Sequence, residues 1–292
     1  MRVRFWGVRG AIAATQAGAQ GIGGNTPCVE IRGAAGELVV LDAGIGLYWL
    51  GRGLLAGPHG RGQGRATILL SHTHWDHIQG FPFFVPNYIP GNEVHVWGGV
   101  SPHLENILEG QLSPVYSPIA SLANMGARIE IHRIDDPAWT HELGGLRLRH
   151  AVVHNGSHDC TAYRIDEPAT GASVCYVAEA NHDDRPTPEV VELARGVDLL
   201  VHEAYYTNAE AHGRRVSLAG PSAPAPSGHS CHAEAVDAAL AAGARRLLFF
   251  YHHPDHDDAT IEAAVEAERA RVAALGATLA IDAAREGLEL DL

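Results

Sequence analysis

A predominantly apolar run, Ala66–Leu70 (ATILL), leads without a break into SHTHWDH, residues 71–77. A short run of this kind suits a central strand covered on both faces, so the chain has to supply a further layer on each side of it. The segment that follows is dense in metal-ligating side chains: His72, His74, Asp76 and His77 fall within six residues. Residues two apart at a strand end point to the same side, which lets His72 and His74 grip one ion. Asp76 and His77 come next, in a turn that opens a helix, where they can face a second ion beside the first. Core filling does not account for four such side chains at the tip of an apolar strand, whereas metal binding does.

The rest of the pattern supplies the cover. Strands are expected at Arg2–Trp6, Pro27–Arg32, Glu37–Asp42, Glu93–Trp97, Arg128–Ile134, Leu146–Val153, Thr161–Ile165, Ser173–Val177, Val197–His202 and Arg246–Tyr251. Helices are expected over Ile45–Leu55, Thr187–Arg195, Cys231–Ala242 and Asp258–Leu275. In the last of these Ile261, Ala264, Val265, Val272 and Leu275 keep to one face and Gly276 is a stop. Strands outnumber helices in both halves, which favours two packed sheets with helices outside over one doubly wound sheet. The glycine-rich stretch Gly18–Thr26 has the wrong spacing for a dinucleotide fingerprint. Ser217–Ser230, with three prolines, is expected to be a surface loop or flap.

Charge narrows the partners. The 292 residues carry 21 basic against 34 acidic side chains, a formal net charge of −13, and every basic residue is Arg. Such a surface repels a phosphate backbone at long range, so long nucleic acid is not an expected partner, although a local site can still take a small phosphate-bearing substrate. Cys28, Cys160, Cys175 and Cys231 form no C-x-x-C pair and read as reduced and mostly buried. The N-terminal MRVRFWGVRG has no continuous apolar segment, and nowhere do about 18 apolar residues run together; a cytoplasmic protein with no membrane partner is expected. The unusual count is 19 histidines, because imidazole is both a metal ligand and a near-neutral proton carrier.

The segment His72–His77 resembles the H-x-H-x-D-H motif of the metallo-β-lactamase fold superfamily. FWGVRG, GGNT, CVEI, the Asp42 of LVVLDAGIG, and SHTHWDHIQGFPFF are similar to a bacterial subgroup of metal-dependent hydrolases related to cyclic-nucleotide phosphodiesterases and to the tRNA 3′-end nuclease RNase Z. The resemblance implies an α/β fold, a four-layer αββα sandwich formed by residues 1–292 as a single domain. It also implies two divalent metal ions. Zinc suits histidine-rich ligation best, while carboxylate bridging also suits manganese or iron.

Further ligands follow from the same resemblance. His154 is the expected third histidine for the first ion, with His158 and His150 as alternatives. Glu179, in CYVAEA, stands where the family carries an aspartate that bridges the ions; Asp183 and Asp184 lie too far past the strand end. From FFYHHPDHDD the expected ligand is His252, with His253 as the alternative, because successive strand residues face opposite sides. Glu203 in LLVHEAYYT and His229 in SGHS resemble a Glu–His proton relay beside the leaving group. Asp257 and Asp258 read as caps of the last helix. His59, His95, His103, His132 and His141 have no partners at ligand spacing and read as surface or satisfied core residues. Phe81, Phe83, Phe84 and Tyr88 line a wall or fill a core, with one or two available to stack on a base.

The function this implies is a dinuclear metal-dependent hydrolase in which a hydroxide shared by two ions attacks a small phosphodiester. Asp76 holds metal and orients the nucleophile; His229 and Glu203 protonate the leaving group. The alternatives are hydrolysis of an ester, lactone, thioester or lactam on the same metal core, or a non-catalytic metal-binding sensor. A homodimer is compatible with the sequence.

Overall fold

The structure, a computed structural model, describes residues 1–115, 117, 121–155, 158–182, 185–211 and 228–292. Most of the loop expected at Ser217–Ser230 lies outside these residues, as do Asp183 and Asp184. The first part of the chain forms β1 (Arg2–Gly7), β2 (Cys28–Arg32), β3 (Leu38–Leu41), β4 (Arg65–Leu70), β5 (Glu93–Gly98) and β6 (Arg128–Arg133). The second part forms β7 (Thr140–Leu143), β8 (Leu146–His154), β9 (Asp159–Glu167), β10 (Ala172–Val177), β11 (Leu199–Glu203), β12 (Arg246–Phe250) and β13 (Ala280–Ala283). A last short strand, β14 (Glu289–Asp291), returns to pair with β1. Among the described residues the sheet orders are β14-β1-β2-β3-β4-β5-β6 and β13-β12-β11-β10-β9-β8-β7.

Helices close both outer faces. They are α1 (Gly46–Leu54), α2 (Trp75–Ile78), α3 (Leu104–Gly110), α4 (Pro188–Leu193), α5 (Asn208–Ala211), α6 (His232–Ala242) and α7 (Asp258–Ala274). The main core lies between the sheets, where Phe5, Val29, Leu41 and Leu69 of the first meet Leu148, Tyr163, Tyr176 and Phe250 of the second, and it continues beneath α6 and α7. A smaller core under α1 and α3 gathers Leu47, Leu50, Ile68, Val96 and Leu108. This is the expected αββα sandwich. Every residue of β10 is buried, and each fully buried aliphatic side chain there contributes about 1.5–3 kcal/mol. At the start of α7 the Asp257 side chain accepts the Thr260 N–H at 2.8 Å. Asp258 instead accepts the N–H groups of Gly21 and Ile22, tying the early loop to this helix. No helix among the described residues is long and apolar enough to cross a membrane.

Two stretches of parallel pairing place the functional residues. β3, β4, β5 and β6 run parallel in the first sheet, and β10, β11, β12 and β13 in the second. The C-terminal tips of β3 and β4 therefore meet those of β10, β11 and β12 at one end of the sandwich. Close backbone approach seats the loop after β3 against the end of α2: a Cβ on Gly80, just after α2, would lie 1.9 Å from the Gly44 carbonyl oxygen.

Candidate metal centre

The SHTHWDH segment leaves β4 and turns into α2, and it is held by Asp42 at the tip of β3. Asp42 Oδ1 accepts the Ser71 N–H at 2.7 Å. Its Oδ2 accepts from Ser71 Oγ at 2.8 Å and from the Tyr176 hydroxyl at 2.6 Å, and it lies 2.8 Å from His77 Nδ1. Ser71 has one hydroxyl proton and gives it to Asp42, so it accepts from His72 Nδ1 at 3.0 Å. Both imidazoles are thereby fixed with Nδ1 as donor and Nε2 aimed into the cluster, the outer-sphere arrangement typical of ligating histidines.

Glu179, just beyond β10, lies at the centre. Its Oε1 is 3.2 Å from His72 Nε2 and 3.9 Å from both His74 Nδ1 and His77 Nε2. Its Oε2 is 3.1 Å from His158 Nε2 and accepts from Asn155 Nδ2 at 2.6 Å. One ligand atom each from His72, His74, His158 and Glu179 gathers within 4.8 Å of the others. Asp76 and His77 stand beside this group, with His77 Nε2 3.2 Å from Asp76 Oδ2.

Residues 38–253 match the family described as the beta-lactamase superfamily domain. The chain belongs to that superfamily. Its class is that of metal-dependent hydrolases. Ribonuclease Z of Halobacterium salinarum is 25% identical over 85% of each chain. Ribonuclease Z of Brevibacillus brevis is 33% identical, across only 32% of this chain and 25% of that one. Among solved structures, the metallo-beta-lactamase fold protein YhfI from Bacillus subtilis superposes over 99% of this chain and 98% of its own with a TM-score of 0.67 at 18% identity, a likeness of fold.

Superfamily membership raises the question of whether these residues fit a metal. The buried atoms His72 Nε2 and His77 Nε2 have no hydrogen-bond partner among the described residues. Each nevertheless faces a carboxylate oxygen at 3.2 Å. Imidazole nitrogens set against carboxylate oxygens at this spacing fit a divalent cation between them. Burial opposes charge on His77, yet Asp76 and Asp42 raise its pKa well above the usual imidazole value, so these carboxylates favour positive charge at this position. Burial and neighbouring His77 keep His72 neutral, as a ligand must be, and burial with His72 pushes His74 down to about 4. Burial works to raise the Glu179 pKa, but His72, His158 and His229 hold it well below the ordinary carboxylate value.

Two expected ligands stand elsewhere. His154 ends β8 in register with Asp159 of β9, points outward with its side chain 74% exposed, and sits 2.7 Å from Asp159 Oδ1. His158, on the returning side of that hairpin, reaches Glu179 in its place. His252 is buried with Nε2 3.0 Å from the Ala284 carbonyl oxygen, while its backbone bonds to Val8 and Gly10. The residue from the β12 tip that reaches the centre is Tyr251, whose hydroxyl donates to Asp76 Oδ2 at 2.6 Å. His253 packs against Tyr205 and His256.

Among the described residues the non-glycine positions with positive φ are Ala11, Asp42 and Tyr251. All three serve this centre: Asp42 orients His77, and the Ala11 N–H and Tyr251 hydroxyl both donate to Asp76 Oδ2. A left-handed backbone at a non-glycine residue costs on the order of 1–3 kcal/mol and collects at functional sites. No local sequence signal marks Ala11 or Tyr251 for this role. Beside the cluster, Glu203 Oε1 accepts from Ala180 N and Ser230 N. Its Oε2 is 3.7 Å from His229 Nδ1, an ion-pair approach longer than a hydrogen bond. Burial opposes a proton on His229, but Glu179 and Glu203 raise its pKa above the usual imidazole value. Tyr205 and Tyr251 stack against its ring.

Proposed function

We propose that this chain is a dinuclear metal-dependent phosphodiesterase acting on small phosphodiesters. The observation that carries the reading is the convergence of His72, His74 and His158 on buried Glu179, with Asp76 and His77 alongside. The first four would hold one ion; His77, Asp76 and the shared Glu179 would hold a second. Bound there, divalent ions supply Lewis acidity, lower the pKa of a water nucleophile and neutralise phosphoryl charge. This positive charge offsets the repulsion that the acidic surface exerts on an anion.

The chain's own residues do the rest. Asp76, fixed by Ala11 N–H and the Tyr251 hydroxyl, faces the second ion's position and orients the nucleophile. His229, kept protonated by Glu179 and Glu203, is the general acid for the leaving oxygen, and Glu203 positions it. Trp75 and Phe83, both exposed, border a groove of about 700 Å³ next to Thr73 that also includes Tyr48 and Ile107. Such a wall accepts the flat face of a base, and stacking of that kind is worth about 1–3 kcal/mol. Phe81 and Phe84, by contrast, are fully buried core residues.

The relatives named ribonuclease Z support phosphodiester chemistry. The net charge of −13 supports a small substrate over a long RNA. The test is turnover by metal-replete protein on bis-nitrophenyl phosphate, cyclic nucleotides, short RNA, and a panel of lactones and thioesters. Phosphodiester turnover that falls about 10²–10⁴-fold in His229→Ala supports the reading. Turnover confined to the acyl substrates overturns it, and cleavage of RNA in preference to the small diesters overturns the substrate assignment.

A further inference from the structure

A second set of ligands lies on the first sheet, apart from the strand tips. We propose that His95 of β5 with Glu130 and His132 of β6 forms a separate binding site for a divalent transition-metal ion, best suited to Zn²⁺, that ties the edge strand β6 to its neighbour. Strand register brings them together: His95 pairs with Glu130 and Trp97 with His132, and alternation puts all four side chains on one face. His95 Nδ1 is 3.0 Å from His132 Nε2 and 3.2 Å from Glu130 Oε2, and His132 Nε2 is 3.6 Å from the same oxygen. A tetrahedral ion with Zn–N distances of 2.0–2.1 Å has ligand atoms about 3.3 Å apart, so these three atoms outline one face of such a tetrahedron.

The surroundings are those of a ligand set. Arg128 pairs with Glu130 Oε1, leaving Oε2 for the histidines. Trp97 stacks on His132 at 4.2 Å and 18°, fixing the imidazole plane. His141 of β7, stacked on Trp139, reaches across from the other sheet to within contact of Trp97. The three ligating side chains are each about one-third exposed, which leaves room for water as the fourth ligand. Sequence spacing gave no sign of this, because the residues are consecutive only across strands, and His95 and His132 are not the solitary histidines they seemed.

The test uses the full chain, stripped by chelator and dialysed against buffered free Zn²⁺, with bound metal counted by elemental analysis. The wild-type protein is expected to bind one equivalent more than His132→Ala or His95→Ala. His72→Ala should keep that extra equivalent while losing metal from the catalytic centre. Because Trp97 stacks on His132, Cu²⁺ should quench more of the tryptophan fluorescence in the wild type than in His132→Ala. Glu130→Gln, which keeps the shape, is expected to weaken the extra equivalent at least tenfold and decides the matter if the histidine variants do not fold. Equal stoichiometry in wild type and variants, or binding of the extra equivalent only at millimolar Zn²⁺, overturns the proposal.

Discussion

The loop after β4 and the tips of β8 and β12 all feed the same centre, yet they differ in how they place their side chains. The first carries them as one contiguous word, SHTHWDH, braced by Asp42, so the order of residues is also the order in space. The others contribute one residue each, from ends where a single-residue change of register moves a different side chain inward. At β8 the ladder runs on to His154, which sends that ring outward, and the ring that reaches Glu179 is that of His158. At β12 the left-handed backbone of Tyr251, with φ of 58°, breaks the alternation and turns His252 towards Ala284. A contiguous motif is robust to local geometry, whereas a lone residue at a strand end is hostage to it.

The motif loop and the hairpin meet at one residue. Glu179 touches ligands from the motif loop and from the hairpin, so Glu179→Ala should strip metal and lower phosphodiester turnover by about 10³-fold or more. Loss of an outer-sphere partner alone costs 10–100-fold in comparable sites, and a direct ligand exceeds that. Elemental analysis and kcat measured together check it; retention of full metal with near-normal turnover would mean that the carboxylate is not a ligand. Next in size, His158→Ala should cost about 100-fold while His154→Ala, altering an exposed side chain, stays within about twofold. If the two exchange effects, His154 is the residue that serves the centre and the β8 tip behaves like the motif loop after all.

The sandwich was largely legible because it depends on averages. Runs such as LLVHE in β11 and RLLFF in β12 announce buried parallel strands whatever their exact ends. β7, β13 and β14 escaped notice because three or four residues carry too little alternation to stand out from a turn. At the centre, the motif histidines, Asp76, Glu179 and the Glu203–His229 approach could be proposed from sequence and the structure brings them together. Tyr251, Ala11, Asn155 and Tyr176 could not, since their roles rest on backbone reversals and on hydrogen bonds between segments as much as 240 residues apart.

A smaller effect sharpens the role of the β12 tip. Tyr251→Phe removes the hydroxyl that donates to Asp76 and should reduce kcat about tenfold with metal retained, since a hydrogen bond to a charged group is worth about 1.5–3 kcal/mol and part of it is recovered by the Ala11 N–H. An unchanged kcat would reduce Tyr251 to packing.

The smallest effect on activity, and the one that best separates structure from chemistry at this tip, belongs to His252. Its Nε2 bond to the Ala284 carbonyl oxygen is buried, so His252→Ala should lower stability by about 2–3 kcal/mol, through an unsatisfied carbonyl and a cavity, while metal-replete turnover stays near normal. The pH dependence supplies an independent sign. Burial pushes the His252 pKa down to about 3, against about 6.5 in the unfolded chain. Between those values the unfolded state binds a proton that the folded state refuses, so the neutral ring's contribution is fully present above pH 6.5, falls by about 1.4 kcal/mol per pH unit below it, is used up after about two units and turns unfavourable nearer pH 3. Urea melts of wild type and His252→Ala across that window should therefore converge and then cross as the solution becomes more acidic. Parallel curves would show that His252 titrates like an exposed imidazole, and an accompanying loss of bound metal would return it to the ligand set.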